Sequence, residues 1–114
     1  MELRWIKSTT NQWLSLEWVD LSGVNTTGVY IIWHGGNPSR VVRVGQGNIT
    51  ARLTAHRADR EVLAYRVHGL YVTWATVPAL FLDGVEAYLA DTWNPILGER
   101  FPVAARIAVN SPFA

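Results

Sequence analysis

Cysteine is absent from the chain, lysine occurs once, and no apolar run approaches the length of a membrane span. Without cysteine there is no disulfide framework and no thiolate metal centre. A bilayer crossing needs about eighteen or more consecutive apolar residues, so no membrane partner is expected. The opening stretch "MELRWIKSTTNQW" carries neither the apolar segment nor the small-residue cleavage site of a secretory leader. These absences together lead to the expectation of a cytoplasmic protein. Net charge is also small, at +1, and names no partner by its size.

What is present is more telling. At 114 residues the chain is read as a single domain, 1–114, with 49% apolar residues and six tryptophans, enough for a packed core. Nine of its ten basic residues are arginine, and Arg40, Arg43, Arg52, Arg57, Arg60 and Arg66 crowd into residues 40–66 against only Asp59 and Glu61. The planar fork of arginine suits phosphate better than the point charge of lysine does. Such a cluster is either a nucleic-acid footprint, with Arg40, Arg57 and Arg60 as candidate contacts, or a solvated helix face with a few ion pairs.

Secondary structure follows from the patterning. The segment 28–34, "GVYIIWH", is rich in β-branched and aromatic residues and predicts a buried strand. After the turn-forming "GGNPS" (35–39), "RVVRVGQ" (40–46) predicts its hairpin partner. Asn48 is placed to cap a helix whose buried stripe is Ile49, Leu53 and Ala55. A third strand, "LYVTWATV" (70–77), stops at Pro78. Asp83 is placed to cap a second helix, with Val85, Leu89 and Trp93 inward, ending before Asn94-Pro95. "WLSLEWVDL" reads equally as a strand with Leu14, Leu16 and Trp18 on one face or as a short helix. The tail from Phe101 reads as irregular or briefly extended. The expected fold is α+β, a small three-stranded, mostly antiparallel sheet flanked by helices.

Gly45-Gln46-Gly47 lies between a strand and a helix, as in a dinucleotide fingerprint, but Thr50 stands where the third glycine belongs and no ribose-binding acid follows. A structural turn is the simpler use of these glycines.

A different set of short motifs is more specific in its order. "GVY" at 28–30, "RVG" at 43–45, "N-I-x-A-R-L-x-x-H" at 48–56, Glu86 with Leu89, and "P-I-L" at 95–97 together resemble the GIY-YIG nuclease domain. The resemblance covers residues 26–98, leaving 1–25 as an N-terminal extension and 99–114 as a tail. It implies metal-dependent hydrolysis of a DNA phosphodiester. On the matching positions Tyr30 would orient or deprotonate the attacking water, and Arg52 and His56 would face the phosphate. Glu86 would hold one magnesium or manganese ion.

The chemistry is coherent with those residue types. Negative charge grows on the phosphate and leaving oxygens, where a guanidinium and a hard cation stabilise it. A carboxylate suits magnesium, which takes few protein ligands when water and phosphate supply the others. A phenol becomes a useful base only if cations depress its pKa. Arg52 and His56, four residues apart, share one helix face.

Each residue also has a purely structural use: Tyr30 as a packed strand residue, Arg52 and His56 as helix-surface residues, Glu86 as a first-turn acid favoured by the helix dipole. Trp33, Trp74 and Trp93 are expected in the core. Two positions depart from the family pattern. Arg43 replaces the second tyrosine, where a cation could act on Tyr30 or grip phosphate as a further site residue. Gly98 replaces the closing asparagine, leaving Asn94 or Asn110 to make its hydrogen bond. The alternatives to an endonuclease are a catalytically weak or inactive nucleic-acid-binding module and a protein-interaction domain built on the tryptophan-rich first 27 residues. With few residues outside the module to read bases, target specificity would come from a protein partner or be weak.

Overall fold

The computed structural model describes residues 1–98 and 101–113; residues 99, 100 and 114 of the expected tail lie outside the described residues. Elements run β1 (Leu14–Ser15), β2 (Thr27–His34), β3 (Arg40–Asn48), α1 (Ile49–Arg57), α2 (Arg60–Leu63), β4 (Leu70–Thr76) and α3 (Leu82–Trp93). The sheet has four strands, not three, in the order β1-β4-β2-β3, with every pairing antiparallel. The added strand is two residues long, Leu14 opposite Val72 and Ser15 opposite Tyr71. Two residues display no period-2 pattern, which is why the sequence leaves this segment open between strand and helix.

β2 is a central strand, and seven of its eight residues are buried. Its side chains alternate between two cores. Tyr30 and Ile32 join Leu16, Leu21, Ile49, Leu53 and Val62 beneath α1 and α2. Val29, Ile31 and Trp33 join Leu3, Val77, Val85 and Leu89 beneath α3. Covering both faces explains why β2 reads as a continuous apolar run rather than as an alternating one. Burial of a side chain such as Leu53, fully enclosed, makes its truncation to alanine cost about 2–5 kcal/mol.

The caps follow the local chemistry. Asn48 caps α1, its side chain accepting from the backbone N–H of Ala51. Ala55 is exposed, and His56 takes the place expected for it on the buried stripe. α3 begins at Leu82, directly after a short 3-10 turn over Ala79–Phe81, so Phe81 occupies the cap position and Asp83 lies inside the first turn. The expected Asp83 cap is therefore corrected. α3 ends at Trp93, and Asn94 adopts a left-handed conformation before Pro95. Beyond it, the N–H groups of Ile96 and Leu97 donate to the carbonyls of Val41 and Val42, covering part of the outer edge of β3.

The N-terminal extension is integral to the packing. The Ile6 N–H donates to the Trp74 carbonyl, and the Thr73 hydroxyl donates to that of Ile6. Trp18 faces solvent rather than the core, 83% exposed, whereas its neighbour Leu16 is fully buried. Trp33 and Trp74 are buried as expected, and Trp93 is partly buried against the α3-side core. The tail over 101–113 has no regular secondary structure. No helix among the described residues is long and apolar enough to cross a membrane.

Candidate active site

Tyr30 projects from the middle of β2 toward α1, and its ring crosses β3 at Gly45, its cross-strand partner. A methyl group at Gly45 would stand 2.1 Å from the tyrosine oxygen. Glycine is required there because another side chain occupies the space. The hydroxyl ends 2.6 Å from Nε2 of His56, which the buried stripe of α1 turns inward. Both groups are enclosed: Tyr30 is fully buried and His56 is 4% exposed.

Two guanidinium groups act on this pair. Arg43 stands opposite Ile32 on the adjoining strand, and its Nε is buried without a hydrogen-bond partner among the described residues. Arg52 lies on the first turns of α1, its stem within 3.2 Å of where a Cβ of Gly47 would be. Gly47 has φ +131°, a conformation that disfavours any side chain, and the bare backbone lets Arg52 lie across it. Burial, followed by the charges of Arg43 and then Arg52, pushes the His56 pKa down to about 4, so the ring is neutral at neutral pH.

The acidic half comes from the other layer. Glu86, on α3, is buried, and its Oε1 accepts from the Gln46 side-chain amide at 2.8 Å. The same Gln46 nitrogen donates to Oδ1 of Asp83 at 2.7 Å. Burial raises the Glu86 pKa; the Gln46 hydrogen bond opposes this, Asp83 reinforces it, and Arg52 and Arg43 oppose it. The same two arginines thus act electrostatically on both Glu86 and His56. Gln46 pairs with Val29 and so looks toward α3, while Gly45 pairs with Tyr30 on the α1 side. The site straddles strand β3, drawing its acid from one face and its tyrosine and histidine from the other.

The donor chemistry fits a hard divalent cation. Glu86 and Asp83 present carboxylate oxygens one helical turn apart, bridged by the neutral side-chain amide of Gln46. Among the described residues no group of three or more histidine or acidic side chains converges as a ligand set. Two carboxylates suffice for magnesium when water and phosphate complete the shell.

The sequence-derived residues thus divide. Tyr30 and His56 meet directly, Arg43 and Arg52 lie near enough to act on both His56 and Glu86, and Glu86 stands on the opposite face of β3 with Gln46. Arg57 is engaged elsewhere: its Nε donates at 2.7 Å to the carbonyl of Leu16, and its Nη2 donates to that of Val19, tying the 16–19 loop to α1. Arg40 and Arg60 are exposed at the starts of β3 and α2. Asn110 does not reach the site, because its side chain accepts from the N–H of Leu3 and donates to the Leu3 carbonyl. Asn94 serves as the residue that terminates α3. Gln46 and Asp83 are the residues the sequence does not single out for the site. Their separation of 37 positions carries no motif, and only the packing of α3 on β3 joins them.

Against protein-family models, curated proteins and solved structures, the chain has no match. Any functional reading therefore rests on the chemistry of the site itself.

Proposed function

We propose that the protein is a metal-dependent endonuclease that hydrolyses DNA phosphodiester bonds with a site like that of the GIY-YIG domain. The observation that carries this reading is the buried hydrogen bond between Tyr30 and His56, set beside two arginines of which one, Arg43, has an unpartnered buried nitrogen. A buried polar atom without a partner is costly, and a phosphate oxygen would supply the missing acceptor.

In the reaction, Arg43 and Arg52 grip the non-bridging oxygens and hold the negative charge that accumulates there. The neutral imidazole, carrying its proton on Nδ1, accepts at Nε2 from the tyrosine hydroxyl. A water oxygen bonds to phosphorus and its proton passes to solvent, while the enclosed Tyr30–His56 pair holds α1, and with it Arg52, against the sheet. The P–O bond to one sugar oxygen breaks, and that oxygen takes a proton from solvent. Glu86, with Asp83 beside it, would hold magnesium or manganese, which supplies Lewis-acid stabilisation of the phosphate and leaving oxygens. Gln46 orients both carboxylates.

The test is nicking of supercoiled plasmid with magnesium or manganese by the parent and by Glu86→Gln and Arg52→Ala variants that retain the parent's circular-dichroism spectrum. Metal-dependent nicking by the parent, abolished in Glu86→Gln and reduced about 10²–10³-fold in Arg52→Ala, is the expected result. A parent that binds DNA but never nicks it, or variants as active as the parent, would overturn the reading.

A further inference from the structure

His34 ends β2 on the α1 side of the sheet, two residues beyond Ile32, and is 8% exposed. Its ring lies flat beside that of Tyr65, 5.5 Å away and 3° from parallel. Its Nδ1 accepts from the Gly36 N–H at 3.0 Å. That nitrogen therefore bears no proton, and the neutral ring carries its proton on Nε2. Nε2 has no hydrogen-bond partner among the described residues. The buried side-chain nitrogen left without a partner there is Nε of Arg43, so Nε2 of His34 opens onto solvent as an unused donor.

Two further basic groups converge on this ring. Arg40 is its cross-strand partner on β3, so both side chains leave the same face of the sheet. His68 closes the 3-10 turn Arg66–His68 and sets its ring 5.2 Å from that of His34, tilted by 40°. The Gly35 N–H donates to the Gly69 carbonyl at 3.0 Å, which fastens the turn carrying His68 to the end of β2. Gly36 has both rings against it: a methyl there would stand 2.9 Å from His34 Nδ1 and 3.3 Å from His68 Cγ. Arg40 and His68 are exposed, and neither side chain forms an ion pair among the described residues. Burial, then His68, then Arg40 hold the His34 pKa below its ordinary value, and no carboxylate acts in the other direction.

The tautomer decides which sign of ligand this cluster takes. A metal ion needs the Nε2 lone pair, which requires the proton on Nδ1 and so the loss of the Gly36 hydrogen bond. The Arg40 charge opposes a cation as well. The ring as held offers an N–H, beside a guanidinium fork and a second imidazole, which is the equipment of an anion site. Its donors come from three elements, β2, β3 and the 3-10 turn. A tetrahedral oxyanion presents an oxygen to each of three such directions, whereas a planar carboxylate presents two oxygens.

We propose that His34, Arg40 and His68 form a binding site for a phosphate group, with Nε2–H of His34 as its fixed donor. The site is separate from the Tyr30–His56 pair and does not rest on the nuclease reading. The phosphate belongs either to a free phosphate compound or to the backbone of a polynucleotide, and the two sources are separable by experiment.

The test follows the histidine ring nitrogens by proton–nitrogen NMR of the full chain, with a chelator present, while inorganic phosphate replaces chloride at constant ionic strength. The free protein should show His34 with its proton on Nε2. Phosphate should shift the His34 and His68 signals along one saturable curve. Arg40→Ala, at an exposed position, should weaken that binding about tenfold, the order of one lost charge-assisted hydrogen bond. A short oligothymidylate without a terminal phosphate then separates the sources. Shifts of the same signals at lower concentration than inorganic phosphate requires would assign the site to a strand, and shifts with inorganic phosphate alone would assign it to a free phosphate compound. Signals that respond to neither probe, or an Arg40→Ala variant that binds phosphate as the parent does, would overturn the proposal. So would zinc chloride, added without chelator, displacing the Nε2 proton of His34 where phosphate has no effect, because the cluster would then be a cation site. Phosphate held by Arg43 and Arg52 is read at His56 rather than at His34, so failure of the nuclease reading leaves this result unchanged.

Discussion

The hydroxyl of Tyr30 and Nε2 of His56 meet at 2.6 Å across 26 positions of sequence, sealed between the sheet and α1. Removing either partner strands the other in a buried place. Tyr30→Phe should therefore lower stability by about 1–3 kcal/mol, the cost of an orphaned buried polar atom, in urea unfolding at neutral pH. Plasmid nicking should fall with it even where the variant is fully folded. A variant as stable as the parent would show that the bond contributes nothing net.

Gly45→Ala probes the same contact from the adjoining strand. The new methyl would stand 2.1 Å from the tyrosine oxygen, so the ring must move. Overpacking of this kind costs about 1–3 kcal/mol, and here it also pulls Tyr30 away from His56. In the double variant Gly45→Ala/Tyr30→Ala the penalty of the alanine at Gly45 should shrink, because the ring whose hydroxyl and Cζ the methyl strikes is gone. Additive losses in that cycle would argue against the clash.

The histidine makes stability depend on pH in a stated direction. Its folded pKa, about 4, lies below the ordinary value of 6.5, so between those values the unfolded chain binds the proton and the folded chain does not. The contribution is therefore fully present above pH 6.5 and is lost as pH falls toward 4. Glu86 acts with the opposite sign: its raised pKa makes the folded state take up a proton first, so its contribution grows as pH falls through that raised value. Urea midpoints across this range should decline less steeply in His56→Gln than in the parent. Parallel curves would contradict the assignment of the titration to His56.

Arg57 and Arg52 lie on one helix and should fail in different assays. Arg57 ties down two loop carbonyls, and charged hydrogen bonds of this kind contribute about 1.5–3 kcal/mol. Arg57→Ala should lose that stability in chemical denaturation, whereas Arg52→Ala should unfold like the parent and lose cleavage. Exchanged phenotypes would reverse the two roles.

Much of this architecture is legible in the sequence, and the exceptions have physical causes. The three long strands are legible because Val, Ile and aromatic residues crowd between turn signals, and α1 because Asn48 can do nothing better at that point than cap it. Tyr30, Arg43, Arg52 and His56 are singled out only by the resemblance of the short motifs to the GIY-YIG domain; the pattern itself places them on β2, β3 and α1 without bringing them together. The Gln46 bridge is not legible, since it depends on how α3 docks against β3, and no local signal encodes a contact between layers. Asp83 misleads because an acid near a helix start has two uses, capping and first-turn placement, and the 3-10 turn before Leu82 selects the second. Ala55 misleads because alanine fits either helix face, whereas the hydrogen bond to Tyr30 turns His56 inward. Trp18 runs against its composition: the chain turns at Ser15–Val19, and the indole is left outside.

The pairing of β2 with β3 slips by one residue between Ile32 and Trp33, so that Arg43 stands opposite the first and Val41 opposite the second. Val42, the supernumerary residue, lets Val41 and Val44 enter the α3-side core while Val42 itself enters the other. β3 therefore behaves as two half-strands spliced out of phase. One half carries Arg43, Gly45 and Gln46; the other carries Arg40 and Val41. Deleting Val42 would restore perfect alternation while leaving Arg43 opposite Ile32 and Val41 opposite Trp33, so both halves would keep their faces and only the Val42 side chain would be lost from the α1-side core. The irregularity thus adds one side chain to the α1-side core while each end of the strand keeps the layer that its partner on β2 assigns.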